Sequence, residues 1–480
     1  MRITVVGSGY VGLVAGACFA EIGHDVILVD NDLGKLAELK NGNVPIHENS
    51  LPELITTHSG TRLSFTDDLP AAVSASKAIF IAVGTPPTED GNADLSYIEQ
   101  VACGIAGAID EYKVIVEKST VPVYTNEWVR RVMVLNGAPH ELFDVASNPE
   151  FLREGTAVRD FLFPDRIVIG ADSPRAQRVL QEIYFPLTSG RYYESPTARL
   201  HSGNGNPSPR LIATSAKSAE LIKHASNAFL AMKISFVNAV ANVCEHVGAD
   251  IEQVVQGVGS DSRIGKRFLR PGIGYGGSCF PKDISAFQAV AAESGYDFRL
   301  LEEVRTINET QRKRFLRKVR RALWNLKGKR LAVLGLAFKG GTDDIRESPA
   351  VNIVQSLLRE GCTIAAYDPA AMERAKTMLR GAIRFAEDAY DAAHGADALL
   401  ILTDWEQFAE LNLDRLKKEL RFPVIIDGRN LYSPDKMGKA GFVYSSIGRP
   451  DAFPMTLTHR LSRTAASFYG SGADAVEYAS

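Results

Sequence analysis

Between Arg2 and Asp30 the chain orders strand, glycine turn, helix, strand and acid, and few folds accept that order. Arg2–Val6 is a short apolar strand, Gly7-Ser-Gly9-Tyr-Val-Gly12 follows, and small residues from Leu13 to Ile22 make a helix. Asp25–Val29 is a second strand that ends in Asp30. A G-x-G-x-x-G alone is a weak signal. With a strand before it, a helix after it and an acid closing the next strand, it predicts a dinucleotide-binding βαβ unit of Rossmann type. The glycines let a pyrophosphate sit on the helix N-terminus, and Asp30 can accept from ribose hydroxyls. Its charge would repel a 2′-phosphate, so NAD is expected rather than NADP.

Strands are also predicted at Ala78–Val83, ahead of Gly84-Thr85-Pro86, and at Val114–Glu117, ahead of Lys118-Ser119-Thr120. Ligands of an open parallel sheet sit beyond the carboxyl ends of its strands. Thr85 and Thr120 are therefore cofactor-side candidates, against a structural role beside a proline turn. Ser147-Asn-Pro-Glu150-Phe-Leu-Arg-Glu154-Gly155 then leaves another strand with two carboxylates and an arginine. A second nucleotide-like unit begins at Lys329, with strand Arg330–Leu334, a long turn from Gly335, helix Ala350–Leu358, strand Thr363–Tyr367 and Asp368. That turn lacks the fingerprint, so a different ligand is expected there. Lys339, Arg346 and Arg429 are cations at its strand ends, suited to phosphate or carboxylate, or else surface charge.

The expected fold class is α/β, with two Rossmann-like, doubly wound parallel-sheet domains joined by a long central helix or helical domain. Expected boundaries are 1–200 for the NAD-binding domain, 211–325 for a central helical domain with a cysteine loop, 326–450 for the second Rossmann-like domain and 451–480 for a mobile tail. The Ser-, Gly-, Asn- and Pro-rich stretch 192–210 reads as a surface insertion. A chain of 480 residues with 45% hydrophobic content supports two or three such cores. A net charge of −3 and a pI near 6.3 argue against nucleic-acid or membrane-surface partners. Five cysteines without a C-x-x-C pair suggest neither disulfides nor a metal site. No leader or uninterrupted membrane-spanning apolar run is read, so a soluble cytoplasmic protein is expected.

Two further features suggest chemistry. Ser218–Val247 is one long helical pattern, apolar on nearly every face, and it carries Lys223 and Asn227 four residues apart on one side. Buried, they must pair with each other, with the backbone or with a substrate oxygen. Phe268-Leu-Arg-Pro-Gly-Ile-Gly-Tyr-Gly-Gly-Ser-Cys-Phe-Pro-Lys-Asp283 delivers Cys279 to a helix start with Pro281 in the first turn, and Asp283 four residues on faces the same side. A helix start stabilises a thiolate, so Cys279 is a candidate nucleophile, against a small packed residue. Cys18, Cys103, Cys244 and Cys362 sit in apolar contexts and read as packing.

With Gly-Gly-Ser278-Cys279-Phe280-Pro-Lys282-Asp283, Ser119-Thr120-Val-Pro, Asn148-Pro-Glu150-Phe-Leu-Arg-Glu154-Gly, Phe338-Lys339 and Arg346-Glu-Ser, the chain resembles the UDP-glucose/GDP-mannose dehydrogenase family from Met1 to about Arg449. Ser278-Cys279-Phe280 looks like the members that act on UDP-glucose. GDP-mannose enzymes tend to have leucine after the cysteine, and N-acetylhexosamine enzymes often have histidine before it. The resemblance implies oxidation of a nucleotide sugar's primary alcohol to a carboxylate, a precursor for polysaccharide biosynthesis, with two NAD reduced in turn. Cys279 would form thiohemiacetal and thioester intermediates. It implies Lys223 and Asn227 at the oxyanion, Asp283 at a water, Thr120 and Glu154 at the proton acceptor and Glu150 in support. For NAD it marks Gly7, Gly9, Val11, Gly12, Asp30, Lys35, Thr85, Thr120, Glu154, Lys282 and Arg346. For the UDP-sugar it marks Phe151, Leu152, Arg153, Glu154, Lys223, Asn227, Phe268, Leu269, Arg270, Pro271, Gly272, Gly276, Lys339 and Arg429. Arg263 would reach a neighbouring subunit's site in a homodimer or higher homo-oligomer. The alternatives are the same chemistry on GDP-mannose or a UDP-N-acetylhexosamine, or a single-hydride enzyme like the hydroxyacid dehydrogenases, which needs no cysteine.

Overall fold

The computed structural model describes residues 1–86, 88, 93–195, 198–200 and 208–454. The chain divides into two compact units. The first is Met1–Ala231 with Ser278–Glu303 and Gly341–Asp343; the second is Met232–Gly277 with Val304–Gly340 and Asp344 onward. The helical region 211–325 is shared between them, and the division falls inside the long helix Ala216–Val247 and between Gly277 and Ser278.

The first unit holds strands β1 (Arg2–Val6), β2 (Asp25–Val29), β3 (Leu63–Thr66), β4 (Ala78–Ile81), β5 (Lys113–Glu117), β6 (Phe143–Ser147), β7 (Arg166–Gly170) and β8 (Arg210–Thr214). They form one sheet in the order β3-β2-β1-β4-β5-β6-β7-β8, parallel except between β6 and β7. Its central strands are apolar along their whole length, as in Ala78-Ile-Phe-Ile81, because helices cover both faces. Leu13, Phe19, Phe80 and Leu180 lie in the core on one face, and Ile79, Ile98, Ile115 and Met133 in the core on the other. The strand order reverses between β1 and β4, the place where such sheets bind ligands.

The second unit repeats the plan with β9 (Arg330–Leu334), β10 (Thr363–Tyr367), β11 (Arg384–Phe385), β12 (Ala398–Ile401), β13 (Val424–Asp427) and β14 (Val443–Ser445). They run parallel in the order β11-β10-β9-β12-β13-β14. Both doubly wound sheets were expected from sequence, and the strands β1, β2, β9 and β10 have the expected ends. The pattern did not reveal the 25-residue helix Arg299–Leu323, whose charged face hides its apolar stripe.

Three expectations change. The tail does not begin at 451, because Ala452 exchanges two backbone hydrogen bonds with Tyr444 and Asp451 pairs with Arg321. Residues 455–480 lie outside the described residues. So do 196–197 and 201–207 of the insertion, although Tyr192 and Ala198 are buried in the first unit's core. Among the described residues one helix, Ala216–Val247, is long and apolar enough by length and composition to cross a membrane, which the sequence reading missed.

The two units start alike. Gly7 has φ +102°, and a Cβ there would lie 2.6 Å from the Ala82 carbonyl oxygen; Gly335 has φ +96°, and a Cβ there would lie 2.2 Å from the Thr403 Cβ. Each lets the turn after a unit's first strand pass close to the neighbouring strand's end. Gly381, also at positive φ (+68°), has nothing within 4 Å of where a Cβ would stand. Gly335→Ala is expected to cost at least about 3 kcal/mol, from overpacking and a left-handed backbone together, and Gly381→Ala about 1 kcal/mol from backbone alone. Denaturant titration measures both, and equal losses would contradict the packing account.

Candidate active site

At the end of β1 the fingerprint opens onto the helix Tyr10–Glu21. A Cβ on Gly12 would meet the Gly7 carbonyl oxygen at 1.9 Å, so only glycine allows the helix to start so close to the strand. A Cβ on Gly9 would meet nothing within 4 Å, which leaves that side of the turn open to a ligand. Asp30 Oδ2 accepts from the Ser8 backbone N–H at 2.6 Å and the Ser8 hydroxyl at 2.5 Å, and Lys35 Nζ lies 3.7 Å away. Burial alone would raise the Asp30 carboxyl, but these donors hold it below the usual range. Val11 is half-buried beside the turn. Glu48, which carried no sequence signal, fastens this region by accepting from the Gly155 and Ala157 N–H groups at 2.7 and 2.8 Å and from the Tyr10 hydroxyl.

Cys279 is the N-cap of the helix Phe280–Glu293, with Pro281 in its first turn as expected. Lys223, Asn227 and Asp283 are all buried close to it in the first unit. Lys223 and Asn227 do not bond each other. Lys223 Nζ donates to Glu150 Oε1 at 2.7 Å, and Asn227 Nδ2 donates to Asp283 Oδ2 at 2.5 Å. Lys282 Nζ approaches Asp283 Oδ1 to 3.0 Å and Thr85 Oγ1 to 3.4 Å, and the Thr85 hydroxyl donates to the Thr120 carbonyl at 3.0 Å. His224 ties the long helix to the Thr120 loop through a 2.7 Å contact of Nε2 with the Val121 carbonyl.

Charges decide the protonation states. Burial works against the Lys223 ammonium, but Glu150, Asp283 and Cys279 outweigh it and hold the lysine above its ordinary range. Burial likewise works against the Asp283 carboxylate, and Lys282, Lys223 and His224 hold it below its ordinary range. Cys279 goes the other way. Burial, aided by Glu150 and Asp283 and opposed by Lys223, pushes its thiol up to about 11. The thiolate expected from a helix start is therefore a thiol at rest, because two nearby carboxylates and desolvation exceed the helix-end effect.

Ser278 supplies what the sequence reading left unassigned. Its Oγ lies 3.6 Å from Cys279 Sγ and donates to Glu154 Oε1 at 3.2 Å, while Thr342 Oγ1 donates to Glu154 Oε2 at 3.0 Å. Thiol, hydroxyl and carboxylate thus form a chain. Lys118 was also missed. Fully buried, it donates to Asn148 Oδ1 at 2.9 Å, and burial, with Lys223 nearby, lowers it to about 7 against the pull of Glu150. A lysine directly after the buried run Val114–Glu117 was the signal.

Phe151 stacks under Arg166 and lies 5.6 Å from Lys223 Nζ; Leu152 packs on the core; Arg153 is exposed and paired with Asp160. The remaining candidates belong to the second unit. Arg429 Nε and Nη2 donate to the Leu402 and Phe338 carbonyls at 2.9 and 2.8 Å. Lys339 is half-buried, while Arg346 forks onto Asp344. Arg270 and Arg263 are exposed, Arg263 pairing with Asp261. Phe268 takes φ +64°. Leu269 turns its side chain into the core, so only its backbone can meet a ligand, and Pro271 is buried beside it. Gly272 N–H donates to Asn238 Oδ1 at 2.8 Å. A Cβ on Gly276 would lie 2.2 Å from the Glu347 carbonyl oxygen, so close chain packing already requires that glycine.

Sequence models of three domains of the UDP-glucose/GDP-mannose dehydrogenase family match: the NAD binding domain over residues 1–188, the central domain over 217–310 and the UDP binding domain over 332–434. The chain belongs to this family. The UDP-glucose 6-dehydrogenase of Rhizobium meliloti (strain 1021) is 47% identical over 456 residues, which cover 94% of this chain and 100% of that one. UDP-glucose 6-dehydrogenase TuaD of Bacillus subtilis (strain 168) is 46% identical over 450 residues, 94% and 93% of the two chains. The solved UDP-glucose dehydrogenase from the hyperthermophilic archaeon Pyrobaculum islandicum is 36% identical, with a TM-score of 0.82 over 94% of this chain and 98% of that one. The cofactor of this family member is NAD, and the open side of the turn at Gly9, the close approach at Gly12 and the ionised Asp30 fit it. Its UDP binding domain, β9 to beyond β13, supports a UDP-sugar substrate.

Alkylation tests the state of the cysteine. The iodoacetamide rate at Cys279, followed by peptide mass spectrometry, should rise with pH toward a midpoint near 11, and Lys223→Met should move that midpoint higher. A midpoint near the ordinary thiol value of about 8.5 would contradict the burial argument.

Proposed function

We propose that the chain is an NAD-dependent UDP-glucose 6-dehydrogenase that oxidises the sugar's C6 alcohol to a carboxylate, giving UDP-glucuronate. The observation that carries the reading is Cys279 beside a buried ammonium and amide in a chain with an intact NAD fingerprint. Bound NAD supplies the hydride acceptor for both oxidations. Oxidation of the alcohol also releases a proton, and Glu154 serves as acceptor, with Thr120 in support. An aldehyde has no second hydride to give until a nucleophile adds to it. Cys279 Sγ forms that bond, and its thiol proton passes through Ser278 to Glu154. The carbonyl oxygen becomes an oxyanion held by Lys223 and Asn227. Oxidation of the resulting thiohemiacetal leaves a thioester. Water held by Asp283 adds to the thioester carbon, the C–S bond breaks, and the thiol and a carboxylate are released. The balance is one alcohol and one water converted to one carboxylate with two NAD reduced and three protons released.

Ser278-Cys279-Phe280 and the 40–47% identity to UDP-glucose 6-dehydrogenases support UDP-glucose over other nucleotide sugars. A panel of UDP-glucose, GDP-mannose and UDP-N-acetylhexosamines should give NADH with UDP-glucose at a ratio of two per sugar consumed. A ratio of one would exclude the cysteine mechanism. Cys279→Ser should lose at least about a thousandfold in acid formation with NAD binding unchanged, and wild-type acid production by the variant would remove Cys279 as nucleophile.

The protein is further proposed to be cytoplasmic and to work as a homodimer. Phe229, Phe236 and Val243 recur every seven residues on the long helix and are each more than half exposed, which suits a helix-to-helix contact with a second copy. Arg263, on the loop after the helix Ile251–Ser260, would serve the neighbour's site. Phe229→Lys with Phe236→Lys should give a monomer by light scattering; an unchanged mass would sink this interface.

A further inference from the structure

Behind Lys223 lies a second set of buried acids that the proposed oxidation does not use. Glu117 ends β5, and Glu220 precedes Lys223 by three residues, on the same face of the long helix. Their exposures are 2% and 3%. Glu117 Oε2 accepts from the Ser147 hydroxyl at 3.0 Å, but Oε1 has no hydrogen-bond partner. Glu220 differs: its two oxygens accept the Tyr124 and Asn126 backbone N–H groups at 2.9 and 3.0 Å, at the start of the helix Thr125–Leu135. Glu117, Glu220, Ser147, Thr120 and Lys223 help line a small, partly open cavity of about 10 Å³. That is room for about one water, which needs polar partners of this kind.

We propose that Glu117 and Glu220 hold one proton between them and, with a single water in this cavity, position Thr120 and Lys223 for the oxidation. Two buried carboxylates side by side cannot both ionise, and the one without N–H donors keeps the proton. Glu220 is the anion, supported by a helix start. Glu117 is the acid, donating to Glu220 and lifted well above the usual carboxyl range by burial and by the Glu220 charge. The titratable and charged groups on the surrounding elements are Lys223 and His224 on the long helix, Lys118 beside Glu117, Glu150 after β6, and Tyr124 and Glu127 on the helix that Glu220 caps, with Lys217 paired to Glu127. Asp283 lies beyond Lys223. None of these bonds Glu117. If the shared proton leaves at alkaline pH, a second buried anion appears at the cavity, competes with Glu150 for Lys223 and drives β5 and the long helix apart.

The kinetic readout rests on the dehydrogenase reading, whereas the proton count does not. A folded-state carboxyl raised above its unfolded value contributes stability below the unfolded value and loses it as pH rises toward the folded one. Glu117→Gln keeps a donor toward Glu220 without a titrating proton. Its melting temperature relative to wild type should therefore climb as pH goes from 5 to 8. In the same variant, NADH formation at pH 7 should stay within about twofold of wild type, and the alkaline fall of kcat should move up by at least one pH unit. Glu220→Gln also leaves one carboxylate and one amide, and should give the same divergence in stability. Parallel melting curves and superimposable pH profiles would overturn the proposal. So would failure of both variants to fold, since the amide preserves the bond assigned to the proton. If no nucleotide sugar yields NADH, the activity reading falls while the melting curves still decide the pair.

Discussion

The first unit's candidate site is organised by one buried ion pair, Lys223 with Glu150 at 2.7 Å. Taking two charges out of water costs several kcal/mol per ion, and attraction repays this only with good geometry and further hydrogen bonds. Glu150 has them, since its other oxygen accepts the Leu152 N–H at 2.6 Å. The pair joins the loop after β6 to the long helix. It also holds the ammonium charged in a place where an isolated lysine would lose its proton, as Lys118, without a carboxylate bonded to it, shows by falling to about 7. Asn227 and Asp283 repeat the arrangement one turn on, joining that helix to the one Cys279 starts.

The same pairing explains the resting cysteine. Lys223 and Lys282 are matched by Glu150 and Asp283, so the thiol meets no net positive charge and stays protonated under burial. A high-pKa thiol is protected from adventitious oxidation and alkylation, which follow the thiolate. In the proposed reaction its nucleophilicity would come from proton loss as the bond forms, and the chain from Sγ through Ser278 to Glu154 offers a path.

The two sheets show how one plan supports two ligands. Each has a glycine after its first strand and an acid after its second, and in each the acid accepts from the turn's N–H groups. Asp368 spends both oxygens on the N–H groups of Leu336, Ala337, Ala370 and Ala371 and is buried. Asp30 also engages both oxygens, with Ser8 and with the Asp32 N–H, but it is only partly buried and lies beside the exposed Gly9. The longer turn after β9 places Lys339 and Arg346 where the first unit has its fingerprint, in keeping with a UDP binding domain.

Much of this was legible in the sequence because periodicity and punctuation are local. Apolar runs of four or five residues ended by Gly or Asp marked the central strands, and the spacing of Lys223 with Asn227 and of Cys279 with Asp283 put each pair on one face of a helix. Glu220, three residues before Lys223, lies on that same face and could have been read. The edge strands β3, β11 and β14 are short, and Arg299–Leu323 is highly charged, so their patterns were weak. What the sequence by itself determined was the αβ order, the cofactor turn and the residue types available for the proposed chemistry. Tertiary structure alone decided their partners: Lys223 with Glu150, Asn227 with Asp283, Ser278 with Glu154, and Glu117 against Glu220. Those contacts join residues as many as 124 positions apart, and protonation follows from burial and neighbouring charge, which no local pattern encodes.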